Sequence, residues 1–308
     1  MTPRQLNYFL RIAELGSFTR AAAVLYVAQP ALSRQIKQLE DDLGVALFAR
    51  SDTGIQLTEA GVLLADRARV LLQQFENLRS EVGALATSVQ GRLHFGMPPS
   101  LFDLVTVPLM TQYREQYPAV HLSVTEGISS TVYQLVLAGE LDVGIVSSTE
   151  SMTGLEHRPL IMEPLFLAYP AATAIDLLPD GSVWLDEVAR RPLALTRWPN
   201  AMRVVLDEAI KASGQKITPL FESNSTRLLV KAVANGLGCT VNPYSALYEN
   251  HRAGAIQLAP VQGLSVTWTL IYSRERSMPV AGQKLTELIT EIARGHIAGG
   301  DWPGAALV

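Results

Sequence analysis

Cysteine is almost absent. Cys239 is the only one in 308 residues, which excludes an intramolecular disulfide, a cysteine-cluster zinc site and a two-thiol redox switch. Long apolar runs are missing too: none reaches the roughly eighteen residues needed to cross a bilayer. The opening Met1-Thr2-Pro3-Arg4-Gln5 has neither the apolar stretch nor the cleavage site of a signal peptide. These absences disfavour export and a membrane location, and a reducing cytoplasm fits them. An excess of one charge sign is lacking as well. Lys and Arg number 25 against 29 Asp and Glu, a formal net charge of -4. Residues 1 to 90 hold 9 of each sign, leaving 16 basic and 20 acidic residues beyond. A DNA-binding module would therefore be invisible in net charge and has to be read from pattern. Catalytic signatures are missing in turn. His94, His121, His157, His251 and His296 are scattered without paired-ligand spacing, and there is no GxSxG, Walker loop or GxGxxG opening a βαβ unit. No metal or cofactor is called for, and an enzyme would have to work with isolated carboxylates such as Glu126 and Asp142.

What is present is 48% hydrophobic and 18% charged residues, a balance that can bury a large core and, at this length, fill two or three compact units. Thr2-Pro3 has the form of a helix start, followed by Leu6, Phe9, Leu10 and Ala13 on one face and a stop at Gly16. Ser17 to Thr19 supplies caps for a short alanine-rich helix, Arg20 to Leu25. After the Tyr26-Val27 turn, Leu32, Ile36, Leu39 and Leu43 mark the buried face of a third helix that ends at Gly44. Its other face shows Gln29, Ser33, Arg34 and Lys37. Gln and Arg suit bidentate contacts with base edges, and Ser and Lys reach phosphates, so the face suits recognition in a major groove as well as it suits a solvated surface. Val45 to Arg50 and Ile55 to Leu57 read as two strands around the turn Ser51 to Gly54. The pattern is a winged helix-turn-helix over residues 1–58.

Thr58 caps a long helix expected to run to about Thr87, roughly 45 Å at 1.5 Å per residue. Along it Leu64, Ala68, Leu71, Phe75, Leu78, Val82 and Leu85 alternate spacings of four and three, the stripe of a helix-pairing seam. Residues 59–90 are thus read as a linker and dimerisation helix, and a symmetric dimer would present two recognition helices to a partly palindromic site.

Phe9, Ser17-Phe18, Ala21-Ala22, the run from Gln29 to Ile36, Leu39-Glu40, Leu43-Gly44, Leu47-Phe48, Arg50 and Leu57 to Gly61 together resemble the DNA-binding domain of LysR-type transcriptional regulators. The resemblance covers residues 1 to about 65 almost without gaps. It departs at Ala28, where Ser is frequent, and in the wing, where Asp52 and Gln56 stand at positions often basic. The residues expected at double-stranded promoter DNA are Arg4, Thr19, Gln29, Pro30, Ser33, Arg34, Lys37 and Arg50. The family resemblance also implies a homodimer or homotetramer and RNA polymerase as a further partner.

Beyond residue 90 an α/β pattern takes over. Strands at Leu93 to Met97, His121 to Thr125 and Asp142 to Val146 alternate with helices, which implies a parallel sheet. A second set lies at Leu165 to Tyr169, Pro192 to Thr196, Pro219 to Glu222, Cys239 to Val241 and Ile256 to Leu258, with helices near Met202 to Ala212 and Thr226 to Asn235. Val266 to Tyr272 and a helix near Val280 to Arg294 return to complete the first lobe. Residues 91–296 are therefore expected to form a two-lobed domain, with one lobe at 91–163 and 266–296 and the other at 164–265, and with 297–308 as a loose tail. Ala138 to Ile145 and Val233 to Cys239 are landmarks of the same family, which implies an effector-binding domain similar to periplasmic binding proteins.

Ligands of open α/β sheets sit beyond the carboxyl ends of the strands. The positions expected there are Pro99, Ser100, Phe102, Thr125, Ser147, Thr196, Arg197, Phe221, Ser223, Asn224 and Asn242. Ser100 is expected to start a helix with Asp103 three residues on, and its hydroxyl could meet a carboxylate or simply close a capping box. Arg197 could clamp an anion or be a solvated loop residue beside Trp198. Together they favour a small anionic effector, an aromatic one if Phe102 and Trp198 pack a ring. A solute receptor would explain the cleft but not the first ninety residues, and an architectural DNA binder would explain those residues but not the cleft.

Overall fold

The computed structural model describes residues 1–51, 54–84, 89–147 and 152–308. Two compact units form, one around Met1–Gly91 and one around Arg92–Leu137 with Leu141–Val308. Among the described residues, no helix is long and apolar enough to cross a membrane.

In the first unit, local signals set the element ends. Helix α1 (Pro3–Leu15) begins where the Thr2 side chain accepts from the Gln5 N–H and ends at Gly16 in the left-handed region, φ 60°. Helix α2 (Phe18–Val24) is capped by Ser17, and α3 (Gln29–Leu43) ends at left-handed Gly44. Ala28 offers α3 no side-chain cap. Strands β1 (Phe48–Ser51) and β2 (Gly54–Leu57) form the antiparallel wing, with Asp52 and Thr53 of its turn outside the described residues. Glu40 of α3 ties the wing down by accepting from the N–H groups of Leu47 and Phe48 at 2.8 and 3.3 Å. Helix α4 (Glu59–Ala84) follows, with Thr58 Oγ1 accepting from the Gly61 N–H at 3.0 Å. Phe9, Ile12, Leu32, Ile36 and Leu39 form a dry core here, each side chain contributing about 1.5–3 kcal/mol by leaving water.

In the second unit, β3 (Gly91–Met97) leads through a 3-10 turn (Pro99–Leu101) and a π turn (Phe102–Thr106) into α5 (Val107–Gln116). Then come β4 (Val120–Glu126), α6 (Ser129–Ala138), β5 (Val143–Ser147) and the long β6 (Leu155–Tyr169). The other lobe holds α7 (Leu185–Ala189), β7 (Ala194–Thr196), α8 (Ala201–Ala212), β8 (Phe221–Ser223), α9 (Thr226–Ala234), β9 (Thr240–Pro243) and α10 (Tyr244–Arg252). The long β10 (Gln257–Ser273), α11 (Val280–Gly299) and β11 (Ala306–Leu307) close the chain. The main sheet runs β11-β6-β10-β5-β3-β4, with β9 also on β6. Helix α6 packs closely on it because Gly96 and Gly144 leave room: a Cβ at Gly144 would stand 2.5 Å from Val132.

Three sequence expectations change. The sheet is mixed rather than parallel: β3 and β5 are parallel, but β10 runs antiparallel to β5 and β6. The proposed strands at Leu165 and Val266 are halves of β6 and β10, which pass from one lobe into the other. Their pairing shifts register between Pro260 and Ser265 and again between Trp268 and Thr269, so the passage between the lobes is a bent two-stranded ribbon. Finally, residues 297–308 are no loose tail. Trp302 is 1% exposed and donates from Nε1 to Glu163 at 2.7 Å, and β11 adds an edge strand to β6.

Candidate functional site

Two regions of the chain expose chemistry. In the first unit, Leu32, Ile36 and Leu39 of α3 face inward, which turns Gln29, Pro30, Arg34 and Lys37 outward with Ser33 half-buried beside them. Gln29 Nε2 donates to Ser33 Oγ at 2.9 Å across one turn, so the two polar groups are held as a pair. Arg4 and Thr19 are exposed on α1 and α2. Arg4 donates to the Tyr8 hydroxyl at 2.7 Å, and Arg4, Tyr8, Arg34, Gln35 and Gln38 line a surface cavity of about 430 Å³. Arg50 pairs through its backbone with Ile55; its side chain lies outside the described residues. Tyr26 is a residue the sequence reading passed over. It is 96% exposed at φ 54°, in the turn between α2 and α3. A left-handed backbone is uncommon for a residue other than glycine, and the only sequence signal was the place of Tyr26 between two short helices.

The seam on α4 divides. Ala68 is fully buried in the core of its own unit, and Leu64 packs against that core, so neither faces outward along the helix. The four-three alternation could not reveal this, because the first turns of α4 lie on α1. Leu71, Phe75 and Leu78 remain 44, 50 and 58% exposed. The side chain of Val82 and the whole of Leu85 lie outside the described residues.

In the second unit a cavity of about 690 Å³ opens between the lobes. Pro99, Ser100, Phe102 and Asp103 reach it from the turns after β3, and Glu126 and Ile128 from the end of β4. The other lobe supplies Asn224, Arg227 and Val230 from the start of α9, and Ala246, Glu249 and Asn250 from α10. Of the eleven positions expected from sequence, this cavity gathers Pro99, Ser100, Phe102 and Asn224.

The remaining seven do not line it, and most are occupied locally. The Ser147 N–H donates to Ser129 Oγ at 2.9 Å, Ser223 Oγ accepts from the Ser225 N–H at 3.0 Å, and Asn242 donates to Thr240 at 2.8 Å. The Thr196 carbonyl accepts from Arg203 at 3.3 Å. Because β7 and β8 pair with Thr196 opposite Ser223, Arg197 falls in an exposed turn leading to α8. Thr125 and Phe221 are half-buried away from the cavity. Nor does Ser100 start a regular helix: it sits inside the 3-10 turn, and Pro98 takes the capping position.

Charge in the cavity comes from Asp103, Glu126 and Glu249 against Arg227. Burial and the nearby Glu249 carboxylate together push the Asp103 carboxyl above its ordinary value. At the bend of the crossing strands, Glu163 is wholly buried. Its carboxylate accepts from Ser245 Oγ at 2.6 Å and the Ser245 N–H at 3.1 Å, and from the indole N–H groups of Trp302 at 2.7 Å and of Trp268. One side chain thus joins the start of α10, the ribbon β10 and the C-terminal segment. Cys239 is buried, and burial pushes its thiol up to about 11, leaving it protonated and unreactive at neutral pH.

The family model described as "LysR substrate binding domain" matches residues 86–294, and the one described as "Bacterial regulatory helix-turn-helix protein, lysR family" matches residues 3–62. The chain is 32% identical over 301 residues to the HTH-type transcriptional regulator BbuR of Bordetella bronchiseptica, covering 97% of this chain and 92% of that protein. It is 30% identical over 295 residues to the nitrogen assimilation regulatory protein nac of Klebsiella aerogenes, covering 95% of each. Among solved structures, a full-length OxyR variant from Pseudomonas aeruginosa superposes with a TM-score of 0.72 at 27% identity, covering 96% of this chain and 97% of the other.

Proposed function

The chain belongs to the LysR family of bacterial transcriptional regulators, and from that premise we propose how its surfaces divide the work. Helix α3 reads promoter DNA in the major groove through Gln29, Ser33 and Arg34. Lys37, Arg4, Thr19, Arg50 and the Tyr26 hydroxyl serve the phosphates, and Pro30 fixes the helix start. The exposed Leu71, Phe75 and Leu78 pair α4 with α4 of a second copy, which sets two α3 helices at a fixed spacing. Further contacts between effector domains carry the dimer to a tetramer, and RNA polymerase is the partner that reads the outcome.

The interlobe cavity takes a small-molecule effector, and regulation follows if that molecule has different affinities for two arrangements of the lobes. The anionic effector favoured by the sequence loses its main support here, since Arg197 is not at the cavity and the charged lining is mostly acidic. The protein acts in the cytoplasm, where promoter and metabolite are both at hand.

One observation carries the DNA reading. Helix α3 has an inner face locked by Leu32, Ile36 and Leu39, so its polar outer face is displayed in one fixed orientation. Selection from a random DNA pool by the full-length protein tests it. The expected product is a partly palindromic sequence whose half-sites are separated by whole helical turns, bound far more tightly than bulk DNA at the same salt. A pool with no sequence enriched over bulk would sink the reading.

A further inference from the structure

The interlobe cavity is charged in a way that its ligand must answer. Asp103 reaches it from one lobe and Glu249 from the other, with Glu126 also in the lining and Arg227 as its only basic residue among the described residues. None of the three carboxylates forms an ion pair among the described residues. Glu249 is also close enough to act electrostatically on Asp103, and α10 packs directly on the turns after β3, so two elements in contact bring like charges to one cavity. Like charges held near each other repel more strongly as water leaves the space between them. An anionic ligand would add to the repulsion, whereas a cation placed between the carboxylates reverses its sign.

A second observation points to a ligand independently of the acids. Ser100 lines the cavity, is 9% exposed, and its hydroxyl has no hydrogen-bond partner among the described residues. The residue is nine-tenths buried and its hydroxyl bonds to no other described group, so the partner of that hydroxyl is whatever fills the cavity. A metal ion does not answer these features, for no group of three metal-ligating side chains exists among the described residues. Phe102, Ile128 and Val230 add apolar wall to the same space, which suits carbon.

Building on the reading of this cavity as the effector site, we propose that the effector is a small organic cation whose ammonium or guanidinium group bridges Asp103 and Glu249 while a polar atom meets the Ser100 hydroxyl. Arg227 leaves room for one carboxylate on the same molecule, so a basic amino acid is admitted and a dicarboxylate is refused. The cation draws the lobes together by replacing a repulsion with two attractions, which gives it the differential affinity that regulation requires.

Calorimetric titration of the full-length protein with arginine, putrescine and succinate tests this. Arginine or putrescine is expected to bind the wild type, with affinity lowered about tenfold or more in Asp103→Asn/Glu249→Gln, while succinate gives no heat. Glu126→Gln, in the lining but outside the proposed bridge, is expected to weaken binding by less than the double variant. Failure of both cations to bind overturns the proposal. Binding of succinate that Ser100→Ala weakens overturns the cationic class and leaves the cavity standing as the effector site. A cation that binds wild type and double variant equally overturns the assignment of the site as well.

Discussion

The two surfaces that carry the chemistry are built in opposite ways. The α3 face takes its residues from two helical turns, and its outward charges, Arg34 and Lys37, are basic. The interlobe cavity takes its residues from turns after β3 and β4 and from α9 and α10, and its charges are predominantly acidic. A net charge of -4 for the chain averages these and describes neither. The contrast teaches that a continuous segment with its own caps can carry a recognition surface almost alone. A cavity between lobes depends instead on whatever holds distant segments in register.

That dependence is open to direct attack, and the largest effect is expected at Glu163. Glu163→Ala removes the acceptor of four buried hydrogen bonds and should destabilise the second unit by roughly 3–4 kcal/mol. Urea unfolding followed by Trp fluorescence should show an early transition, because Trp268 and Trp302 report on this contact. DNA binding by the first unit should survive, and simultaneous loss of both units would break the comparison.

The next effect concerns assembly. Leu71→Asp with Leu78→Asp should weaken self-association by about 3 kcal/mol by placing unpaired charges where α4 pairs. Sedimentation should then show a smaller species at concentrations where the wild type is assembled. The same charges at Ala68 would instead unfold the first unit, since that position is core. An unaltered oligomer would mean that Leu71 and Leu78 lie outside the interface.

At the DNA, Arg34→Ala should weaken specific binding by roughly 1–3 kcal/mol without loss of fold, measured by footprinting on the selected sequence. Unchanged affinity would remove α3 as the reader.

The smallest effects sharpen the comparison from each side. Ala28→Ser gives α3 the cap that it lacks and should raise the melting point of the first unit by an amount worth about 0.5–1 kcal/mol. Asp103→Asn should act through pH. A carboxyl whose folded value is raised stabilises the fold below its ordinary value of 3.8 and loses that contribution as pH rises through the raised value. The unliganded variant should therefore be more stable than wild type at neutral pH, by less than about 1 kcal/mol for a partly solvated pair facing Glu249, Glu126 and Arg227. Equal melting points from mild acid to neutrality would show that the cleft charges do not interact.

Legibility follows the same divide. Helices α1, α2 and α3 could be read to within a residue or two because Thr2, Ser17, Gly16 and Gly44 are local punctuation, and the buried face repeats at helical spacing. Ser100 and Asn224 could be placed at the cavity because both follow strand ends in an α/β pattern. Helix α10 is not among the helices read from the sequence: Asn242-Pro243 suits a turn as well as a helix start, and here Pro243 takes the capping position before Tyr244. With α10 went Glu249 and Asn250, and with them the sign of the cavity's charge. Arg197 follows a strand end just as Asn224 does, and β7 and β8 end side by side; yet only Asn224 lines the cavity, because the chain after Thr196 turns out into an exposed loop toward α8.

The sequence alone therefore determined the helix-turn-helix, its displayed side chains, the α/β character of the rest and the family. These rest on spacing and capping within a few residues, where the chain's own geometry dictates the outcome. Tertiary structure alone decided that Ala68 is core and Leu71 surface, that Trp302 anchors the last residues onto Glu163, and that Asp103 and Glu249 share one cavity. Those facts depend on which segments meet across the bent ribbon of β6 and β10, and contact between residues far apart in the chain leaves no periodic trace in it.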